Sequence, residues 1–198
     1  MGEQVLAVGE QQERLIEALL TLSRSQRGLG RREPVDLHAI TREALQTVDD
    51  ESLTIGAALE PAATTGDPRL LERLVVNLVT NAVRHNTRNG RIEVRTETRA
   101  GRALLTIANT GPTIPSNDVA LLFEPFQRLE SERTNGSGGL GLGLSIVRAV
   151  AAAHQATLHA RPRPGGGLHV EIGFPASSMP TSEHRTRIAP LLTRQGRG

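Results

Sequence analysis

The sequence predicts an α+β fold, a two-layer sandwich in which one mixed sheet carries helices on one face and one long helix precedes the whole. Three observations predict it. Ile92-Glu93-Val94-Arg95 and Leu105-Thr106-Ile107 alternate apolar with polar side chains and join through residues 99–102 as a hairpin. Residues 158–160 and 168–174 make a second hairpin across a Pro/Gly turn, with Val170, Ile172 and Phe174 on its buried face. Between these strands lie apolar sets at helical spacing, the longest being Leu70, Leu71, Leu74, Val75, Leu78, Val79 and Ala82.

In chain order, Val5, Val8, Gln12, Leu15, Leu19 and Leu22 recur at 3-4-3-4-3 spacing. That is the heptad seam of a helix running to about Ser25, widened by Ile16 and Leu20. The stripe needs a partner helix, and no helix of similar length follows it. Residues 29–35 sit in a Gly/Arg/Pro run and read as a linker. Asp36 is placed to cap a helix carrying Leu37, Ile40, Ala44 and Leu45. Residues 53–58 and 62–65 read as short strands. Asp67 followed by Pro68 is an N-cap with proline at the first helical position, opening the long helix to about His85. Residues 176–198 are rich in Ser, Thr, Pro and Arg and read as a disordered tail, with one helical turn near residues 188–192.

Composition excludes several functions. The 198 residues allow one domain with appendages. No stretch reaches the roughly 18 apolar residues of a membrane span, and the N-terminus has no signal-peptide pattern. The expected setting is therefore cytoplasmic. With no cysteine there is no disulfide, thiol nucleophile or thiolate metal site. All 23 basic residues are arginine, which removes the Walker-A route to ATP because that route needs lysine. A net charge of +2 and three Phe as the only aromatics leave no nucleic-acid footprint.

Residues 136–147 read G-S-G-G-L-G-L-G-L-S-I-V, with glycine at 139, 141 and 143. Such a stretch can turn backbone N–H groups toward one point, and a helix starting there adds unpaired amides, a junction suited to phosphate. Alone, it is equally a linker or a tight helix entry. Asn77 and Asn81 lie four apart on the long helix and share a face. They are either locally bonded amides or oxygen donors for Mg²⁺ beside phosphates. Arg84, further along the helix, is placed to meet a phosphate. Residues 109–115, Asn-Thr-Gly-Pro-Thr-Ile-Pro, follow a strand and can present an acceptor to a base edge or serve only as a turn. Phe123-Glu124-Pro125-Phe126 reads as a plug under a loop, and Arg128 and Arg133 follow it in a polar, Gly-rich stretch.

In this order the four stretches resemble the ATP-binding domain of two-component sensor histidine kinases, within a wider ATPase superfamily that includes gyrase. Asn77-Leu78-Val79-Thr80-Asn81-Ala82 looks like the N box and residues 109–115 like the G1 box. Phe123 to Phe126 looks like the F box, and residues 139–147 like the G2 box. The resemblance covers residues 36–175 and implies the Bergerat-type ATP-binding fold. Residues 1–28 are similar to the second helix of the family's dimerisation and phosphotransfer domain. The resemblance implies ATP and Mg²⁺ as cofactors, with Asn81 on the metal and Asn77 beside the phosphates. It implies Arg84 and Arg128 on phosphate oxygens, and His85 flanking the nucleotide. Gly139, Gly141, Leu142 and Gly143 would form the hinge and the phosphate-facing backbone, and Asn109, with Gly111, the adenine end.

The chain departs from the family pattern in places. Asp is usual where Asn109 stands; the amide oxygen can still accept from adenine, without charge assistance, at a loss of about 1 kcal/mol. Thr113 replaces a frequent glycine, Leu140 a frequent Thr or Ser, and Gln155-Ala156 two frequent glycines. None of His38, His85, His154, His159, His169 or His184 has the family's phosphoacceptor context. The expected function is the catalytic component of a histidine kinase whose acceptor histidine lies on another chain or on a missing segment. Its expected partners are an acceptor-bearing chain docked on the N-terminal helix and a downstream response regulator, with self-association through that helix as an alternative. The expected locale is the cytoplasm, free or recruited to a membrane-bound sensor. Two other readings stay open: a nucleotide-binding regulatory module, and a superfamily ATPase or serine kinase. The latter generally carry a Glu base where Asn77 stands, and an amide takes no proton near neutral pH.

Overall fold

Asp36 and Asp67 each stop a strand and start a helix. In a computed structural model of the chain, which describes residues 32–127 and 141–177, Asp36 ends strand β1 (Glu33–Asp36) and caps helix α1 (Leu37–Gln46). Its carboxylate accepts from the His38 N–H at 3.1 Å and from the Ala62 N–H at 3.1 Å. Strands β2 (Thr54–Leu59) and β3 (Ala63–Gly66) follow. Asp67 then accepts from the N–H groups of Arg69 (2.9 Å) and Leu70 (3.2 Å), opening helix α2 (Pro68–Arg84). Strands β4 (Arg91–Arg99) and β5 (Arg102–Asn109) form the first hairpin. Two short 3₁₀ turns, Ser116–Asp118 and Leu121–Phe123, lead towards helix α3 (Gly143–Ala153). Strands β6 (Thr157–Pro162) and β7 (Leu168–Pro175) form the second hairpin.

The five-stranded sheet runs β2-β4-β5-β7-β6 and is mixed. Only the β2–β4 pair is parallel, because β3 and α2 carry the chain back across between them. Register aligns one apolar layer under the helices: Val94 lies opposite Ile107, Ile107 opposite Val170, and Leu105 opposite Ile172. Phe174, Ile92, Leu105 and Ile172 are fully buried there, with Leu71, Leu74, Val75 and Val147 from the helices. On the other face Arg91, Glu93 and Arg95 remain exposed. This is the α+β two-layer arrangement that the pattern predicts. Among the described residues no helix is long and apolar enough to cross a membrane.

Both ends of the folded unit lie beyond the sequence-based bounds. Residues 33–36 pair antiparallel with β3 in a separate two-stranded sheet instead of serving as the end of a linker. Only Val35 in this strand is apolar and buried, and Pro34 lacks a donor, so neither alternation nor propensity marks it. At the other end, Ala176 bridges to Thr64 and the Ser177 N–H reaches the Ala63 carbonyl at 2.9 Å. The first two residues of the expected tail are therefore tied to β3. The N-terminal heptad seam and residues 178–198 lie outside the described residues.

Helix α3 ends on His154, and the next residue, Gln155, has φ +55°. That is the left-handed conformation which glycine adopts freely and a side chain resists. The departure from the family's glycine thus carries local strain at an exposed position. Gln155→Gly should raise stability by about 0.5–1 kcal/mol, read as a higher urea midpoint at unchanged slope.

Candidate functional site

Helices α2 and α3 run antiparallel, so the C-terminal half of α2 meets the start of α3. Asn77 and Asn81 are half-buried on one face of α2, at the edge of its apolar stripe. The Asn77 amide nitrogen donates to the Arg73 carbonyl at 2.8 Å, one turn back. This local bond also orients the group. The oxygen end is left facing Gly143, where an added Cβ would stand 3.4 Å from it.

Gly143 is the first residue of α3, and Leu142 before it is buried at the N-cap. The Leu142 carbonyl accepts from the Ile146 N–H at 3.0 Å and the Ser145 hydroxyl at 2.8 Å. Among the described residues no side chain caps this helix start. Its first N–H groups and the positive end of its dipole therefore lie beside the Asn77 oxygen.

A second group of residues sits at the C-terminal end of α2. Arg84 is its last residue and is exposed, and the His85 N–H closes the helix on the Asn81 carbonyl at 3.0 Å. Asn109 ends β5, only 4% exposed. Its amide nitrogen donates to the Thr110 carbonyl at 2.7 Å and to the His85 carbonyl at 3.5 Å. Both partners only accept, so the nitrogen end is pinned inward and the oxygen is the end available to a donor. Gly111 follows, and a Cβ there would collide with the His85 carbonyl. Two residues that the sequence does not single out complete the knot. The Thr110 hydroxyl donates to the Asn86 amide oxygen and accepts from the Arg91 N–H at 2.8 Å, while the Asn86 nitrogen reaches Ala82 O at 3.1 Å. Their one sequence signal is polarity immediately after an element end.

The F-box stretch divides in two. Phe123 is buried and plugs the core, whereas Phe126 is 61% exposed and holds φ +65°. Between them Glu124 makes a two-pronged pair with Arg148 of α3, one prong at 3.0 Å. The hydrogen bond from Arg148, helped by its charge, holds the Glu124 carboxyl below the usual carboxylate range against the opposing effect of desolvation. The Phe126 N–H donates to the Gly141 carbonyl at 3.1 Å. Gly141 itself has φ +67°, and a Cβ there would lie 2.7 Å from Gln127 O. Arg128 and Gly139 lie outside the described residues.

The structure thus brings Asn77 to Gly143 at the start of α3, and His85, Asn109 and Gly111 to one another, along the same half of α2, with Asn81 on the Asn77 face one turn further on. Among the described residues no group of three or more His, Asp or Glu could hold a metal ion. A hard cation here would take neutral amide oxygens, phosphate oxygens and water, a donor set that Mg²⁺ accepts.

The family model described as histidine kinase-, DNA gyrase B- and HSP90-like ATPase matches residues 66–178. Sensor protein CutS of Streptomyces coelicolor is 44% identical over 180 residues, covering 88% of this chain and 44% of the relative. Sensor histidine kinase YkoH of Bacillus subtilis is 31% identical over 169 residues, covering 81% of this chain and 36% of the relative. The chain thus spans less than half the length of these relatives. The mycobacterial sensor histidine kinase MprB superposes with TM-score 0.66 at 29% identity, over 75% of this chain and all of that one. The histidine kinase AdeS of Acinetobacter baumannii, at 24% identity, shares the fold with TM-score 0.71 over 89% of this chain and 84% of its own.

The two glycines at the start of α3 should respond differently to a methyl group. Gly141→Ala forces a left-handed side chain against Gln127 O and should cost about 1–2 kcal/mol, roughly 2–8 °C in Tm. Gly143→Ala meets only an ordinary contact and should stay within about 0.5 kcal/mol. Calorimetric melting of both variants checks this.

Proposed function

We propose, since the chain belongs to the histidine kinase-, DNA gyrase B- and HSP90-like ATPase family, that it is the ATP-binding catalytic component of a two-component histidine kinase, directing the γ-phosphoryl group to a histidine outside these 198 residues. One observation carries the reading: the Asn77 oxygen faces Gly143 at the start of α3, which no side chain among the described residues caps, and Asn81 lies one turn further along the same face of α2. ATP with Mg²⁺, when bound, supplies the transferable phosphoryl group. This chain's residues bind and orient it. Asn81 offers an amide oxygen to the cation, and the N–H groups at Leu142 and Gly143 face the phosphates. Arg84, and with it Arg128, balances phosphate charge. Asn109 accepts from the adenine amino group through the oxygen that its pinned nitrogen leaves outward, and Gly111 lets the backbone come close. His85 fixes that end through its carbonyl and flanks the base. Gly139 and Gly141 complete the phosphate-side backbone.

Asn77 cannot take a proton from water near neutral pH, which disfavours an ATPase or serine-kinase reading. A regulatory module that binds nucleotide without transfer is the second reading. It draws on Asn109, whose uncharged amide recognises adenine more weakly than a carboxylate would. In the leading reading the seam of residues 1–28 docks an acceptor-bearing chain or a second copy, residues 36–175 do the catalysis, and a response regulator receives the phosphoryl group. The setting is the cytoplasm, free or at a membrane-bound sensor.

Calorimetry on the whole chain should show Mg-ATP binding in the micromolar-to-millimolar range, weakened about tenfold or more by Asn81→Ala. Absence of ATP-dependent heat removes both nucleotide readings. Asn109→Ala should erase a preference for ATP over GTP worth about 1–2 kcal/mol, roughly tenfold, and equal binding of both by the parent chain contradicts the role of Asn109. With radiolabelled ATP, an added acceptor-bearing chain should acquire an acid-labile, base-stable label that Asn81→Ala abolishes. Labelling of the isolated chain on one of its own histidines would overturn the separate-acceptor assignment.

A further inference from the structure

His154 lies at the far end of the α2–α3 pair from the nucleotide residues, and both of its ring nitrogens are engaged. Nε2 accepts from the Asp67 N–H at 3.0 Å, at the N-cap of α2. Nδ1 lies 2.8 Å from the Val150 carbonyl of α3. Since Nε2 must accept, the proton is on Nδ1 and is donated to Val150. The ring is 4% exposed and meets Phe174 edge-on, centroids 6.1 Å apart at 81°. Gly66 makes room for it, because a side chain there would overlap the imidazole.

The position matters because of what stands at the other end of the pair. From Asp67 to Asn77 is about 15 Å along α2, and from His154 back to Gly143 about the same along α3. The imidazole therefore joins the two helices at one end, and midway along α2 Asn77 stands against Gly143, the other end of α3.

We infer that His154 is a positioning residue for the nucleotide site: its neutral imidazole, bonded to Asp67 and Val150, fixes the register of α2 against α3 and so the placement of Asn77 at the start of α3 and of Asn81 one turn beyond it. The inference rests on the proposed nucleotide site. Protonation puts a hydrogen on Nε2 and breaks the bond from Asp67. Burial, chiefly, lowers the pKa of His154 below its ordinary value; the Val150 carbonyl and the Asp67 carboxylate push it up, and Arg32 pushes it down. Phe174 and Gly66, which β7 and β3 present to the ring, carry no charge. The unfolded chain takes up this proton below a pH of about 6.5, whereas the folded ring resists it. The stability linked to His154 is thus complete above that pH and is lost as pH falls towards the depressed folded value.

The test compares the parent chain with His154→Gln, whose amide can accept near the Nε2 position without titrating, and with His154→Leu, which cannot accept. Two readouts are followed between pH of about 8 and about 5, spanning the histidine range. They are the nitrogen–proton spectra of the Asp67 N–H and of the Asn77 and Asn81 side chains without nucleotide, and the Mg-ATP dissociation constant. In the parent, acidification should shift the Asp67, Asn77 and Asn81 signals together and weaken ATP binding about tenfold. His154→Gln should keep the neutral-pH affinity within about threefold and lose the protein's acid limb; phosphate protonation is common to both chains and cancels. His154→Leu should weaken binding at every pH while remaining folded by circular dichroism. An acid limb equal in parent and His154→Gln, or Asn77 and Asn81 signals indifferent to both substitutions, overturns the inference. If the parent binds no ATP, the nucleotide reading fails by itself and the spectra still decide the role of His154. If His154→Leu does not fold, His154→Gln decides.

Discussion

The seating of α2 on the sheet is the constraint from which the site follows. Leu71, Leu74 and Val75 are completely buried, and Leu70, Leu78, Val79 and Ala82 nearly so. Burial of each large apolar side chain is worth about 1.5–3 kcal/mol, so any rotation of the helix about its axis loses several at once. The 3.6-residue period that turns those side chains inward leaves Asn77 and Asn81 half-buried at the boundary, with Asn77 turned towards Gly143 of α3. Amides at that boundary are half-desolvated, where an oxygen contact counts for more than it would in open water. The same rigidity carries the end of α2 into the Asn86–Thr110 knot, so the two groups of site residues share one rigid support.

Much of this was legible in the chain because it is written in local chemistry. Asp36 and Asp67 cap the helices that their positions predict, and the alternation around Ile92 and Val170 foretells the two hairpins. The site residues Asn77, Asn81, Asn109 and Gly143 also stood out, because each is polar or small where a helix or strand end gives no structural reason for it. What stayed illegible depends on distant partners. Strand β1 exists only because β3 lies beside it, and its four residues have neither the pattern nor the propensity of a strand. The Glu124–Arg148 pair joins residues 24 apart, and the His154–Asp67 bond joins residues 87 apart. No period or composition encodes either one. In sequence His154 shows only that it lacks the phosphoacceptor context, and its bonds to Asp67 and Val150 emerge in the fold alone.

The departures from the family pattern act differently. At Gln155 a side chain occupies a conformation suited to glycine, and the penalty is local and exposed. At Asn109 the substitution is better accommodated, because the amide nitrogen finds two carbonyls that a carboxylate would repel. The pair His85–Asn109 is therefore matched: a carbonyl pointing at this position favours a side chain able to donate as well as accept. Phe126, which keeps to the family pattern, is also in the left-handed region, an exposed ring beside Gly141 whose N–H is taken by the Gly141 carbonyl.

That last bond brings residues 126 and 141 together although fourteen residues lie between them along the chain. Whatever length of polypeptide runs between, it must leave and return at the same spot, and the sheet and helices hold that spot closed independently of it. The entropy of closing a flexible chain on fixed ends grows only logarithmically, about 0.6 kcal/mol for each doubling. Insertions or deletions between Gln127 and Gly141 are consequently cheap for the fold. This makes the connection between these two residues a point where length can vary without renegotiating the core.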